Sequence, residues 1–133
     1  MTKIDKHDDV IDSRDIISRI SELENERDEW LSENEGKTVR DWEVEDVDAA
    51  DELKNLGLVT DELSQLSDWE YGVALIRYSY FTDYVEELCI DCGDIPKDLP
   101  SYIVIDWERT AETVAYDYGM IEFNGIDYYY LNS

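Results

Sequence analysis

The stretch that most constrains the fold of this chain is residues 68–93, DWEYGVALIRYSYFTDYVEELCIDCG. Its apolar and aromatic residues recur at steps of three and four, which places them on one face of an α-helix: Trp69, Val73, Ile76, Tyr80, Tyr84 and Leu88. The spacing therefore predicts one long amphipathic helix in the centre of the chain. Carboxylates project from the other faces of this helix, and Arg77 is its only cation. The predicted helix therefore also displays negative charge.

The N-terminal part of the chain predicts acidic helices. Residues 1–11 are polar and predict a frayed end. Asp12 or Ser13 can cap a helix that continues to about Asn34. The apolar seam of this helix consists of Ile16, Ile20, Leu23 and Trp30. Because two to three heptads are too few to define a coiled coil, the seam fits docking on the rest of the fold or pairing with a second copy.

Residues 36–66 contain shorter signals. Residues 36–46 lack a helical period and predict a connection or a short strand. Apolar spacing over residues 47–56 predicts a short helix that Gly57 terminates. A further helical turn is expected at residues 60–66, just before the central stretch.

The pattern changes after Gly93. The apolar run at residues 102–105 fits a short buried strand or a packed loop, and Asp106 can cap a short helix. Residues 118–123 and 126–131 flank Asn124-Gly125, the pair that a two-residue type I′ turn requires. The C-terminus is therefore predicted to be a β-hairpin.

Together these signals predict a mainly helical α+β fold. It comprises acidic N-terminal helices, a long central amphipathic helix, a short C-terminal helix and a β-hairpin. We expect an acidic helical region over residues 1–66 and a C-terminal domain over residues 67–133.

The charge of the chain requires an explanation. Thirty-five acidic residues against 11 basic ones give a net charge of -24, whereas a magnitude of about 2 to 8 keeps a small domain soluble. Self-repulsion at this density destabilises the compact state. Three interpretations are open: a solvated surface without function, adaptation to a high-salt cytoplasm, or imitation of a polyanion. B-DNA carries one charge per about 1.7 Å, so 24 charges match roughly 12 base pairs.

The same charge disfavours direct binding of nucleic acid, because no basic patch is present to contact phosphates. It disfavours anionic membrane surfaces for the same reason. No run approaches the ~18 apolar residues of a membrane span, and the N-terminal sequence lacks the apolar core of a signal peptide. We therefore expect a soluble protein of the cytoplasm.

Two motifs suggest metal or redox chemistry only weakly. Cys89 and Cys92 form a C-x-x-C, but at a predicted helix C-terminus, where the dipole disfavours a thiolate, and His7 is the only histidine. Two small apolar residues at the end of a packed helix is the better interpretation. A calcium-loop template is matched by Asp41, Glu43, Glu45 and Glu52, but its glycine and apolar positions hold Asp46 and Asp48.

The sequence offers little for catalysis. A nucleophile needs a histidine or comparable base in a pocket, and no glycine-rich phosphate loop is present among six scattered glycines. We expect a protein that is not an enzyme and that requires no cofactor and no metal.

The C-terminal half carries a set of residues in a recognisable order. The set consists of Leu75-Ile76-Arg77, Tyr80-Phe81, Asp83-Tyr84, Glu87-Leu88, Asp91 and Gly93-Asp94-Ile95, then Pro100, Ile105-Asp106-Trp107-Glu108 and Ala111, and finally Asp117-Tyr118, Phe123-Asn124-Gly125 and Tyr128. In order and spacing it resembles the C-terminal part of the ArdA antirestriction family, over about the last 65 residues. The chain is most similar to short phage-borne versions, while residues 1–66 do not resemble the elongated domains of longer members.

The resemblance implies a dimeric DNA mimic that occupies the DNA-binding groove of a type I restriction-modification enzyme. It implies that eight carboxylates take the role of phosphates: Asp83, Glu86, Glu87, Asp91, Asp94, Asp106, Glu108 and Glu112. A CRISPR effector is the alternative target, because its channel is also cationic. A third hypothesis is an acidic assembly module that binds a partner through the helix at residues 13–34, with the charge incidental.

Overall fold

A four-stranded antiparallel sheet, in the order β1-β2-β4-β3, lies at the centre of the molecule. The structure is a computed structural model and describes residues 4, 8–96 and 98–131. The strands are β1 (Val10–Asp12), β2 (Ala74–Arg77), β3 (Tyr118–Phe123) and β4 (Ile126–Leu131). The helices are α1 (Ser13–Glu33), α2 (Val39–Glu45), α3 (Val47–Leu63), α4 (Phe81–Asp91) and α5 (Trp107–Val114). The predicted α+β class is confirmed.

The sheet is covered on both faces. Leu75 and Ile76 are neighbours in β2 and point to opposite faces, and both are fully buried. The Leu75 face packs against α1 and α3 in the larger core: Ile11, Ile16, Leu23, Leu56, Val59, Leu63, Trp69, Val73, Leu75, Ile121, Phe123 and Tyr128. The Ile76 face packs against α4 and α5 through Phe81, Val85 and Ala111.

The larger core combines residues from both sides of the predicted boundary between residues 66 and 67. Strand β1 pairs with β2, and α1 and α3 contribute Leu23 and Leu56 to the cluster that contains Leu75. Neither side therefore buries its apolar face alone. The division into two domains stays a prediction.

The C-terminal hairpin is confirmed residue for residue. Strands β3 and β4 have the predicted bounds, and the turn residues Asn124 and Gly125 have φ angles of 54° and 80°. Positive φ at both central positions is what a type I′ turn requires, and Asn and Gly tolerate it best. The N-terminal helix is also confirmed, because the Asp12 side chain accepts a hydrogen bond from the backbone N–H of Arg14 at 2.8 Å.

The predicted long central helix is wrong. Residues 68–71 form turns, β2 follows, a 3₁₀ turn occupies Tyr78–Tyr80, and only then does α4 begin. The helix cannot run through Gly72, whose φ is 124°. The run after it, Val-Ala-Leu-Ile, is buried on two faces rather than one, which periodicity alone cannot distinguish from a helix. In α4 the buried residues are Phe81 and Val85, whereas Leu88, predicted to face inward, is exposed.

Two shorter predictions are corrected. Residues 36–46 contain helix α2, because Thr38 and Asp41 form a capping box and Trp42 is buried. The Asp41 carboxylate accepts the Thr38 backbone and side-chain hydrogen bonds, which lowers the pKa of Asp41. Helix α3 continues through Gly57 as one helix, since its face toward the core carries Leu56, Val59 and Leu63 without interruption.

Two apolar segments, residues 10–11 and residues 102–105, also differ from the predictions. Val10 and Ile11 belong to β1 instead of a frayed end, because they pair with Ile76 and Leu75. The run at residues 102–105 forms neither a strand nor a buried loop. Tyr102 is 84% exposed and Val104 is 88% exposed, since no neighbouring strand covers them.

Substituting Gly72 provides a test of this corrected topology. Gly72→Ala is expected to lower the free energy of unfolding by about 1–3 kcal/mol, because the φ of 124° strains any residue with a side chain. An added Cβ would also lie 3.1 Å from the Arg14 Nε. In a continuous helix the same change would stabilise by roughly 1 kcal/mol. Urea unfolding followed by circular dichroism measures the sign of the change in the free energy of unfolding.

Gly57→Ala is the matched control. Gly57 is helical, and nothing lies within 4 Å of a Cβ added there. The substitution is expected to raise the free energy of unfolding by about 0.5–1 kcal/mol. Stabilisation by both substitutions would contradict the turn and strand at residues 68–77.

Candidate partner-binding surface

Helices α4 and α5 lie side by side on one face of the sheet. Phe81 of α4 packs on the rings of Tyr118 and Tyr129, with centroids 5.1 Å and 4.2 Å apart, and Ala111 of α5 joins the same cluster. These contacts fix the rotation of both helices, so their remaining faces point to solvent. The acidic residues of both helices lie on those faces.

The eight predicted carboxylates lie on α4, on α5 with its cap, and on the turn after α4. Glu86 is half-buried and the other seven are exposed. None of the eight forms an ion pair with a described residue. The packing of α4 against α5 thus brings residues that are up to 29 positions apart in sequence onto neighbouring elements.

The helices set the spacing of these charges. Asp83, Glu87 and Asp91 follow one another at four-residue steps, so they form a row with a rise of about 6 Å per charge. Glu108 and Glu112 repeat this spacing on α5. One row is sparser than one DNA strand, which carries a charge per ~3.4 Å of axis. Imitation of a duplex would therefore need rows from both helices.

Two of the eight carboxylates also support local structure. Asp106 caps α5, accepting a hydrogen bond from the backbone N–H of Arg109 at 3.1 Å. Glu87 accepts a hydrogen bond from the Tyr80 hydroxyl at 3.0 Å, and this bond raises the pKa of Tyr80. Replacing either one would change more than the surface charge.

Most described arginines are engaged with acids elsewhere on the molecule. Arg19 of α1 contacts Glu52 of α3 through two hydrogen bonds of 2.7 and 2.9 Å, and this pairing raises the pKa of Arg19. Arg14 pairs with Asp12 at 2.7 Å, and this contact lowers the pKa of Asp12. Within residues 78–131, Arg109 is the single cation that the structure describes. The eight carboxylates of α4, α5 and the turn after α4 are therefore little compensated by described cations.

Comparisons with protein-family models, with curated proteins and with solved structures each find no match. The ArdA resemblance, the DNA mimicry and the named targets therefore stay predictions. In the described part of the chain, no helix has the length and apolar character needed to cross a bilayer.

The C-x-x-C and the calcium-loop template lie on or beside helices. Cys89 is half-buried at the end of α4, and its burial raises the pKa of its thiol, which disfavours the thiolate that redox chemistry needs. Cys92 is exposed, so the prediction that both cysteines are packed is wrong for Cys92. The calcium-loop template falls on α2 and α3, which are helices instead of a loop. His7 lies outside the described residues.

Sequence reasoning missed a cleft beside the carboxylates. It measures about 440 Å³ and lies between the Tyr78–Tyr80 turn, the start of α4 and one side of α5. Its lining includes Tyr78, Ser79 and Thr82, none of which the sequence singled out, together with Glu108 and Glu112. No sequence signal marks the cleft, because it exists only where α4 and α5 meet.

Proposed function

We propose that this protein is an acidic DNA mimic that inhibits a DNA-binding host defence enzyme by occupying its DNA-binding groove. The observation that carries the proposal is the surface of α4, α5 and the turn after α4. It holds eight carboxylates without ion-pair partners among the described residues, beside a single described cation, Arg109. The net charge of -24 supports it. A type I restriction-modification complex is the first target, following the ArdA resemblance.

The mechanism is competition with DNA for the binding groove of the enzyme, and it involves no chemical reaction. A cationic groove that evolved to bind phosphates binds carboxylates in their place. Because α4 and α5 are held on the sheet by Phe81, Val85 and Ala111, the carboxylates bind without the ordering entropy that a flexible acidic chain would lose. Long-range attraction between the acidic protein and the basic groove should make association fast and sensitive to salt.

A competition assay tests the proposal. Labelled cognate DNA bound to a purified type I restriction-modification enzyme is titrated with this protein at about 50 mM salt, and release is followed by fluorescence anisotropy. We expect complete displacement by excess protein, with affinity for the enzyme falling as salt is raised. Absence of displacement at low salt would end the proposal for that enzyme.

A CRISPR effector is also a candidate target, because its DNA channel is cationic. The same assay with a purified CRISPR effector shows which of the two enzyme classes this protein displaces from DNA. The alternative of an assembly module that uses α1 is less well supported. Ile16 and Leu23, two residues of the α1 seam, are fully buried in the larger core, so they are not available to a partner.

A further inference from the structure

The cleft between α4 and α5 combines three kinds of side chain. Tyr78, Phe81 and Tyr129 supply aromatic rings, Ser79 and Thr82 supply hydroxyl groups, and Glu108 and Glu112 supply carboxylates. Ala111 and Ala115 are small and leave the space open. A second cleft beside α4 contains one carboxylate, Glu86, among mainly aliphatic residues, so it lacks this combination.

The only charged side chains among the described residues that line the cleft are the carboxylates of Glu108 and Glu112. Glu108 and Glu112 are one helical turn apart, so their side chains project from the same face of α5 toward one space. No described lysine or arginine lines the cleft. The N-terminus of α4 repels a cation in the cleft, because its helix dipole is equivalent to about half a positive charge. The two negative charges of Glu108 and Glu112 outweigh this repulsion.

A guanidinium group matches this lining better than an ammonium group does. Its planar fork donates to two carboxylates at once, and its flat face stacks on aromatic rings. Tyr78 is 62% exposed and stands at the rim, where it can cover an inserted side chain. The hydroxyls of Ser79 and Thr82 can accept hydrogen bonds from the remaining N–H groups.

We infer that this cleft binds an arginine side chain of the partner protein, with Glu108 and Glu112 as its ligands and Tyr78 as its aromatic cover. The inference rests on the proposed function, because it names what a cationic groove contributes to the complex. It deepens that function by making part of the surface a specific arginine site instead of a general field of charge.

Titration with N-acetyl-arginine amide, followed by amide chemical shifts in NMR spectra of the full chain, tests the inference. We expect saturable shifts centred on Ser79, Thr82 and Glu112. Glu108→Gln combined with Glu112→Gln should weaken binding at least about 10-fold, the worth of one charge-assisted hydrogen bond. Tyr78→Ala should weaken it about 3-fold, and removes an exposed ring without opening the core.

Glu29→Gln combined with Glu33→Gln is the matched control, because both residues are exposed at the same four-residue spacing on α1. This pair changes the net charge equally and should alter binding less than about 2-fold. Equal weakening by both pairs, shifts that spread over the surface without saturating, or equal binding of N-acetyl-lysine amide would each overturn the arginine site.

The competition assay separates this inference from the proposed function. A protein that displaces DNA from the enzyme but does not bind the arginine probe in the cleft would overturn the arginine site and leave the mimicry intact. A protein that binds the probe in the cleft but displaces no DNA from any tested enzyme would overturn the mimicry and leave the arginine site.

Discussion

Replacing four carboxylates on α4 and the turn after it with their amides is expected to weaken competition with DNA about 100-fold. The variant combines Asp83→Asn, Glu86→Gln, Asp91→Asn and Asp94→Asn, and spares Glu87 because it bonds Tyr80. Each lost contact with a cationic groove is worth about 0.5–1 kcal/mol, and 1.4 kcal/mol is tenfold in affinity. Adding the four substitutions one at a time should weaken binding progressively. Anisotropy competition at fixed salt measures each step.

The control for this series has the same change in net charge at a different place. Glu29, Glu33, Glu43 and Glu62 are exposed on α1, α2 and α3 and form no ion pair with a described residue. Their replacement by Gln should weaken competition less than about 5-fold, through the reduced long-range field alone. Equal loss in both series would show that net charge, and not the surface of α4, determines binding. Unchanged binding in the first series would favour the assembly-module hypothesis.

Ser13→Ala is expected to lower the free energy of unfolding by about 2–4 kcal/mol, with a fall in Tm on the order of 10 °C. The Ser13 side chain is fully buried. Its hydroxyl donates to the Trp69 carbonyl at 2.8 Å and accepts from the Val73 N–H at 2.6 Å. Removing the hydroxyl leaves two buried backbone groups without partners, each costing about 1–3 kcal/mol.

Ser18→Ala is the control, because Ser18 is exposed on the same helix and should change stability by less than about 0.5 kcal/mol. Thermal unfolding followed by circular dichroism compares the two. Ser13 joins the start of α1 to residues 69–73, across the predicted boundary between residues 66 and 67. A single cooperative transition at lower temperature is the expected result. Unchanged stability, or loss of only part of the helical signal, would contradict coupling through Ser13.

At Gly57 the sequence showed a glycine after an apolar helical repeat, which is typical of a helix end. The helix continues there because Leu56, Val59 and Leu63 all face the core, and the gain from their burial exceeds the roughly 1 kcal/mol that glycine costs in a helix. A local breaker is thus overridden by distant packing.

The candidate site shows the same limit. The sequence named the eight carboxylates through a family resemblance and through charge, and the structure places them on α4, α5 and the turn between residues 91 and 95. Their role as phosphate substitutes stays a prediction. The cleft has no local signal in the sequence, because Tyr78, Thr82 and Glu112 line one space only when α4 is docked on α5.

The sequence alone determined the elements whose signals are local. Asp12 and Asp106 cap their helices, and Asn124-Gly125 closes the hairpin, because each of these bonds or dihedral angles is decided within a few residues. Only the tertiary structure decided the secondary structure of residues 68–93. Their apolar repeat satisfies a helix equally well, but β1 pairs with Leu75 and Ile76, and β4 pairs with Ile76. The paired residues are more than 50 positions apart in sequence. Strand pairing and burial on two faces there outweigh the helical period.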